Sequence, residues 1–122
     1  MLNPVELCEP QPPPITQHNS REILSPAFIR GVQDLQPDVA EILKARKAFG
    51  LNKYGTTLKS HNGRDPRVDA LQEAVDSVVY LQQCVMEEGD RRRKHRWTKL
   101  RLDAQALMLN ILKELAGPPD KE

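Results

Sequence analysis

The chain has 122 residues, 39% apolar and 29% charged, enough for one globular domain that buries about two thirds of its unfolded surface. Its formal net charge of +1 sets up no global field for nucleic acid or membrane, so electrostatic recognition must be local. Two cysteines, Cys8 and Cys84, fall far short of a secreted disulfide scaffold and read as reduced thiols.

No basic segment followed by an apolar one opens the chain, and no apolar run approaches the ~20 residues that span a bilayer. The expectation is a soluble, cytoplasmic protein with no membrane partner. Aromatics are only 4%, so aliphatic side chains must fill the core.

Residues 1–24 read as a proline-rich irregular arm. Pro4, Pro10, Pro12, Pro13 and Pro14 remove backbone donors and fix φ, which argues against helix and central strand alike. Lacking an acid cluster, the first 20 or so residues are expected to be dispensable for chemistry and open to early proteolysis. Ser25-Pro26 then starts a helix, with the hydroxyl as N-cap and proline at the first helical position. Phe28, Ile29, Val32 and Leu35 follow at helical spacing. Gln36-Pro37-Asp38 restarts a helix that is expected to stop at Gly50.

Residues 51–65 carry Gly55 and an Asn62-Gly63 turn signal and no sustained period, which predicts a long loop of the kind that often serves function. Asp65-Pro66 opens the clearest helix, running to about Glu88 with apolar Val68, Leu71, Val75, Val78, Val79, Val85 and Met86 at the 3.6 period. Gly89 ends it. Arg91 to Arg96 reads as a solvated connection. A last helix is expected over Thr98–Ala116 with Leu100, Leu107, Met108, Ile111, Leu112 and Leu115 inward, and residues 118–122 as a disordered tail. The fold class is all-α, with the helical domain spanning 25–117.

On the helix after Pro66, Asp69, Glu73 and Asp76 are spaced four and then three apart, which places them on one face within about two turns. Tyr80 and Gln83 continue the stripe. Three like charges so close repel one another, and hard cations such as Mg²⁺ or Mn²⁺, which take oxygen ligands, would offset that repulsion. An exposed acidic face is the plainer alternative. Val75, Val78 and Val79 interleave with the acids and suggest a groove, while Lys53, Asn62, Gly63 and Arg64 upstream suit a polyphosphate. His18, His61 and His95 are too scattered for a histidine metal site, and no serine or cysteine lies in a nucleophile motif.

Residues 72–81, QEAVDSVVYL, resemble the ExxD segment of the MazG-like, all-α nucleoside triphosphate pyrophosphohydrolases. The preceding KYGTTLKSHNGRD, with Asp69 shortly after, is similar to a subgroup of small phage-type members. The resemblance covers about residues 38–88. The family's first metal-bearing helix usually reads EExxE; here Asp38 and Glu41 are followed by Lys44, a departure that leaves the ligand set and the number of ions open.

The resemblance implies a helical bundle completed by oligomerisation and a metal-dependent hydrolase. Glu41, Asp69, Glu73 and Asp76 would be the metal ligands, with Glu41, Glu73 and Asp76 at the catalytic centre. Lys53, Tyr54, Asn62 and Arg64 would contact substrate, a ribo- or deoxynucleoside triphosphate cleaved to the monophosphate and pyrophosphate. Some phage members act on dGTP and GTP.

Apolar residues on several sides of the last helix point to a homodimer or homotetramer. The rival reading is a non-enzymatic helical nucleic-acid-binding or regulatory protein using Arg91 to Arg96, and a third is a scaffold using the proline arm. A nucleic-acid partner is not the expectation here, because single basic runs are common.

Overall fold

A computed structural model describes residues 2–117; the tail expected at 118–122 lies outside them. Among the described residues there are five helices: α1 (Pro4–Cys8), α2 (Pro26–Leu35), α3 (Pro37–Tyr54), α4 (Pro66–Glu87) and α5 (Arg91–Ala116). The class is all-α, and one isolated bridge, Glu22 with Lys59, is the extent of β pairing among these residues. None of the helices is long and apolar enough to cross a membrane.

Four helices begin on a proline, which loses nothing at a position whose N–H has no intrahelical acceptor. Side-chain oxygens of Asn3, Ser25, Asp65 and Asp90 cap the exposed amides of α1, α2, α4 and α5. At Asp65 the Arg67 side chain also donates to the carboxylate and holds its pKa below the usual range.

Two expected boundaries move. Gly50 does not end α3, because a glycine inside a helix costs only about 1 kcal/mol and keeps right-handed geometry there. Gly55 supplies the left-handed stop instead, at φ 73°, with its N–H bonded to the Leu51 carbonyl. The basic run is not a connection but the first turns of α5. Asp90 accepts from the amides of Arg92 and Arg93 at 2.8 and 3.2 Å, and arginine and lysine are good helix formers once the end is capped.

The contacts divide the chain after Gln11 and after Arg64 rather than near residue 24. In the first unit, α4 and α5 form a hairpin joined by residues 88–90, and α1 packs on α4. Leu71 and Ala74 are buried on α4. The α5 side of the seam is half-buried at Trp97, Ala104, Met108, Ile111 and Leu115, a three-four spacing that keeps one stripe on the partner helix. Leu100 and Leu107 were expected inward but are 46% and 55% exposed, because their register falls to the side of that stripe.

In the second unit α2 and α3 form a tight corner with Gln36 as the one residue between them. Ala40 is 0% exposed and Ile29 is also buried. An alanine there lets the two backbones approach where a larger side chain would hold them apart.

The N-terminal arm differs most from expectation. Pro4 opens a helical turn instead of forbidding one, because it stands at the first position. Gln72 on α4 donates to the Leu7 and Glu9 carbonyls at 3.0 and 2.7 Å, and Gln11 both donates to the Asp65 carbonyl and accepts its amide.

Residues 12–24 belong to the second unit and lie along its loop. Ile15 N–H donates to the Asn62 carbonyl, Ile23 to Leu58, and Ser60 to Arg21. Lys47 pairs with Glu22 at 2.8 Å. Backbone held by such bonds at both ends does not fit the expected free tail trimmed early by protease.

Candidate functional site

The α4 carboxylates come first. Helical spacing does place Asp69, Glu73 and Asp76 on one face. Glu73 and Asp76, one turn apart, are exposed. Among the described residues neither takes a hydrogen bond or an ion pair. Asp69 is half-buried, and its Oδ1 accepts from Gln11 Nε2 at 2.7 Å. The arm therefore reaches the first acid of the stripe.

Of the three valines expected to flank a groove along this stripe, Val75 and Val78 are half-buried and Val79 is exposed. Helical register sets Val75 and Val78 on the side of α4 that carries the buried Leu71 and Ala74, and Glu73 and Asp76 on the exposed side. A shallow depression does lie farther along α4, lined by Val78, Val79, Gln82, Gln83, Met86 and Glu87, below the acids. Gln83, which continues the stripe, donates to Glu87 at 2.6 Å, and Tyr80 is exposed.

No three His, Cys, Asp or Glu side chains among the described residues stand together as a ready cation cage. The donors still fit one kind of ion. Mg²⁺ is commonly held by one or two carboxylates, with waters and substrate phosphates completing its octahedron. Glu73 and Asp76 supply two such carboxylates without displacing an existing partner.

The remaining candidates lie in the second unit. Glu41 is exposed and pairs with Lys44 at 3.1 Å, and Lys44 also donates to Gln33. Lys44 thus neutralises Glu41. Asp38 stands in the first turn of α3, where its charge complements the helix dipole.

Lys53 and Tyr54 come together at the end of α3. The Lys53 ammonium lies 5.2 Å from the Tyr54 ring centre and 5.9 Å from that of Phe49, with Arg46 5.6 Å from Phe49. Sequence reading missed Phe49 and Arg46 as members of this cluster, although i, i+3 and i+4 spacing along α3 is the signal that groups them.

Asn62 and Arg64 carry structural duties. The Asn62 side chain accepts the Arg64 amide at 3.0 Å, fixing the turn in which Gly63 takes φ 84°. Arg64 Nη1 donates to the Pro12 carbonyl at 2.7 Å. Arg64, expected to matter for substrate affinity more than for folding, thus also has a structural tie, since its guanidinium fastens the arm.

Compared with models of known families, with curated proteins and with solved structures, the chain matches none.

Proposed function

We propose that this protein is a divalent-metal-dependent nucleoside triphosphate pyrophosphohydrolase of the MazG-like kind. The observation that carries the reading is the pair Glu73 and Asp76, exposed one turn apart on α4 with no partner among the described residues, within the segment that resembles the family's ExxD. Unpaired carboxylates at (i, i+3) spacing weaken a helix, and a cation bridging them would remove that cost.

Glu73 and Asp76 hold the ion, and Asp69, oriented by Gln11, is the third donor along the same face. A bound Mg²⁺ or Mn²⁺ would polarise the triphosphate and acidify a water for attack at the α-phosphorus. Lys53 and Tyr54, like Glu41, enter as substrate contacts through the resemblance alone; an ammonium beside an aromatic ring is of a chemistry suited to the phosphates and base of a nucleotide. Glu41 enters the reading through the resemblance, and its Lys44 partner would have to give way for it to bind metal. The test is a panel of ribo- and deoxynucleoside triphosphates, dGTP and GTP among them, incubated with Mg²⁺ and Mn²⁺. Pyrophosphate and a monophosphate are the expected products from at least one of them. Orthophosphate release, or no turnover with any, would refute the assignment.

The chain is also proposed to work as a homodimer or higher oligomer. Few side chains are buried, and Leu100, Leu102, Leu107 and Leu109 of α5 lie exposed, an arrangement that leaves apolar area for another subunit to cover. Light scattering should give at least twice the 13.9 kDa chain mass at micromolar concentration; a monomer there would refute it.

A further inference from the structure

The run from Arg91 to Arg96 becomes a different object once it is helical. Relative to the seam with α4, helical register carries Arg91, Arg92, His95, Arg96 and then Lys99 around to the opposite, outward side of α5. All five are exposed, and the first four line one shallow depression. Among the described residues, Arg91, Arg92, Arg96 and Lys99 make no ion pair.

The acids at and just before the turn are engaged. Asp90 caps α5, Glu88 accepts from Trp97 Nε1 at 3.2 Å, and Glu87 accepts from Gln83. Cations crowded at a helix N-terminus oppose both one another and the helix dipole. A multivalent anion laid across them would relieve both.

We propose that this outward face of α5 is a docking surface for the phosphate backbone of duplex nucleic acid, with Arg91, Arg92, Arg96 and Lys99 as the contacting cations. From Arg91 to Lys99 the helix rises about 12 Å, a length over which one strand of a duplex presents about three or four phosphates. The partner follows from what the face lacks. Single-stranded binding relies on aromatic platforms, whereas Trp97 is turned into the hairpin and bonded to Glu88. An interfacial membrane helix needs a free apolar side opposite its cations, whereas the opposite side of α5 is packed on α4. Contacts made to phosphates alone carry no sequence preference.

The experiment is fluorescence anisotropy of a labelled mixed-sequence duplex of about 20 base pairs titrated with the full chain. Four phosphate contacts give a slope of log affinity against log salt of about −3.6, so binding should weaken roughly a hundredfold between 50 and 200 mM salt. The variant R91Q/R92Q/R96Q should flatten the slope to about −1, and R96Q alone should lower it by about one. R91K/R92K/R96K keeps the charge and should bind nearly as the parent does. These side chains lie outside the proposed catalytic face, so pyrophosphate release should be unchanged in all three variants.

The proposal is overturned if the duplex fails to bind at 50 mM salt, or if the glutamine variants bind like the parent. Tighter binding of oligo-dT of equal length, capture by phosphatidylserine vesicles without duplex binding, or displacement of duplex by inorganic triphosphate at equal charge would each overturn it too.

Discussion

Glu73→Gln is expected to reduce pyrophosphate release roughly a thousandfold or more, because it removes a charge that binds the ion while preserving size and shape. No organic cofactor is available in the proposed chemistry to act in the ion's place. Without metal, the variant should be as stable as the parent or slightly more so. Glu73 stands four residues after Asp69 and three before Asp76, and each such like-charge pair costs a few tenths of a kcal/mol.

The melting-temperature gain caused by Mn²⁺ should shrink or vanish in step with turnover, since a ligand stabilises only the state that binds it. Asp76→Asn should behave alike, and the double variant should lose little beyond either single one, because both act through the same ion. Full activity in Glu73→Gln, with an undiminished metal-induced shift, would leave the stripe as the solvated acidic face of the plainer reading.

The second large effect is one of packing. Leu71→Ala should destabilise the chain by about 2–4 kcal/mol, lowering its melting temperature by roughly 10 °C. Leu71 is 3% exposed, the most completely buried of the larger side chains among the described residues, so its truncation removes apolar area that folding had taken from water. Thermal unfolding followed by circular dichroism reads this directly. Leu109, 52% exposed on α5, is the comparison. Its truncation should cost under about 1 kcal/mol in a monomer, and a loss as large as that at Leu71 would mean a second subunit covers it. A shift of under 2 °C for Leu71→Ala would contradict the packing of α4.

Much of this architecture was legible in local chemistry. Ser25-Pro26 and Asp65-Pro66 each pair a capping oxygen with a proline at the first helical position, and both helices begin there. The end of α3 was misplaced because two glycines compete five residues apart, and only conformation tells which one turns left-handed. The start of α5 was misplaced because a run of cations reads as a solvated loop until Asp90 is recognised as its cap.

The ties of the arm had no local signal at all. Gln11 and Gln72 bond to residues more than fifty positions away, and a glutamine looks the same in sequence whether it serves solvent or a distant carbonyl. For the site, spacing correctly put the acids on one face of α4. It could not tell that the interleaved valines divide, Val75 and Val78 half-buried and Val79 exposed, because spacing alone does not say which side of a helix another element covers.

The chain's single tryptophan stands where α5 leaves the hairpin turn, and its indole is anchored to Glu88 across that turn. Its emission is thus a local gauge of whether the α4–α5 hairpin is closed. The far-ultraviolet helical signal, by contrast, is drawn from α2 and α3 as well, in the unit that has no tryptophan. Heating curves recorded by the two optical signals need not coincide, and any gap between them would be a measure of how cooperatively the two units melt.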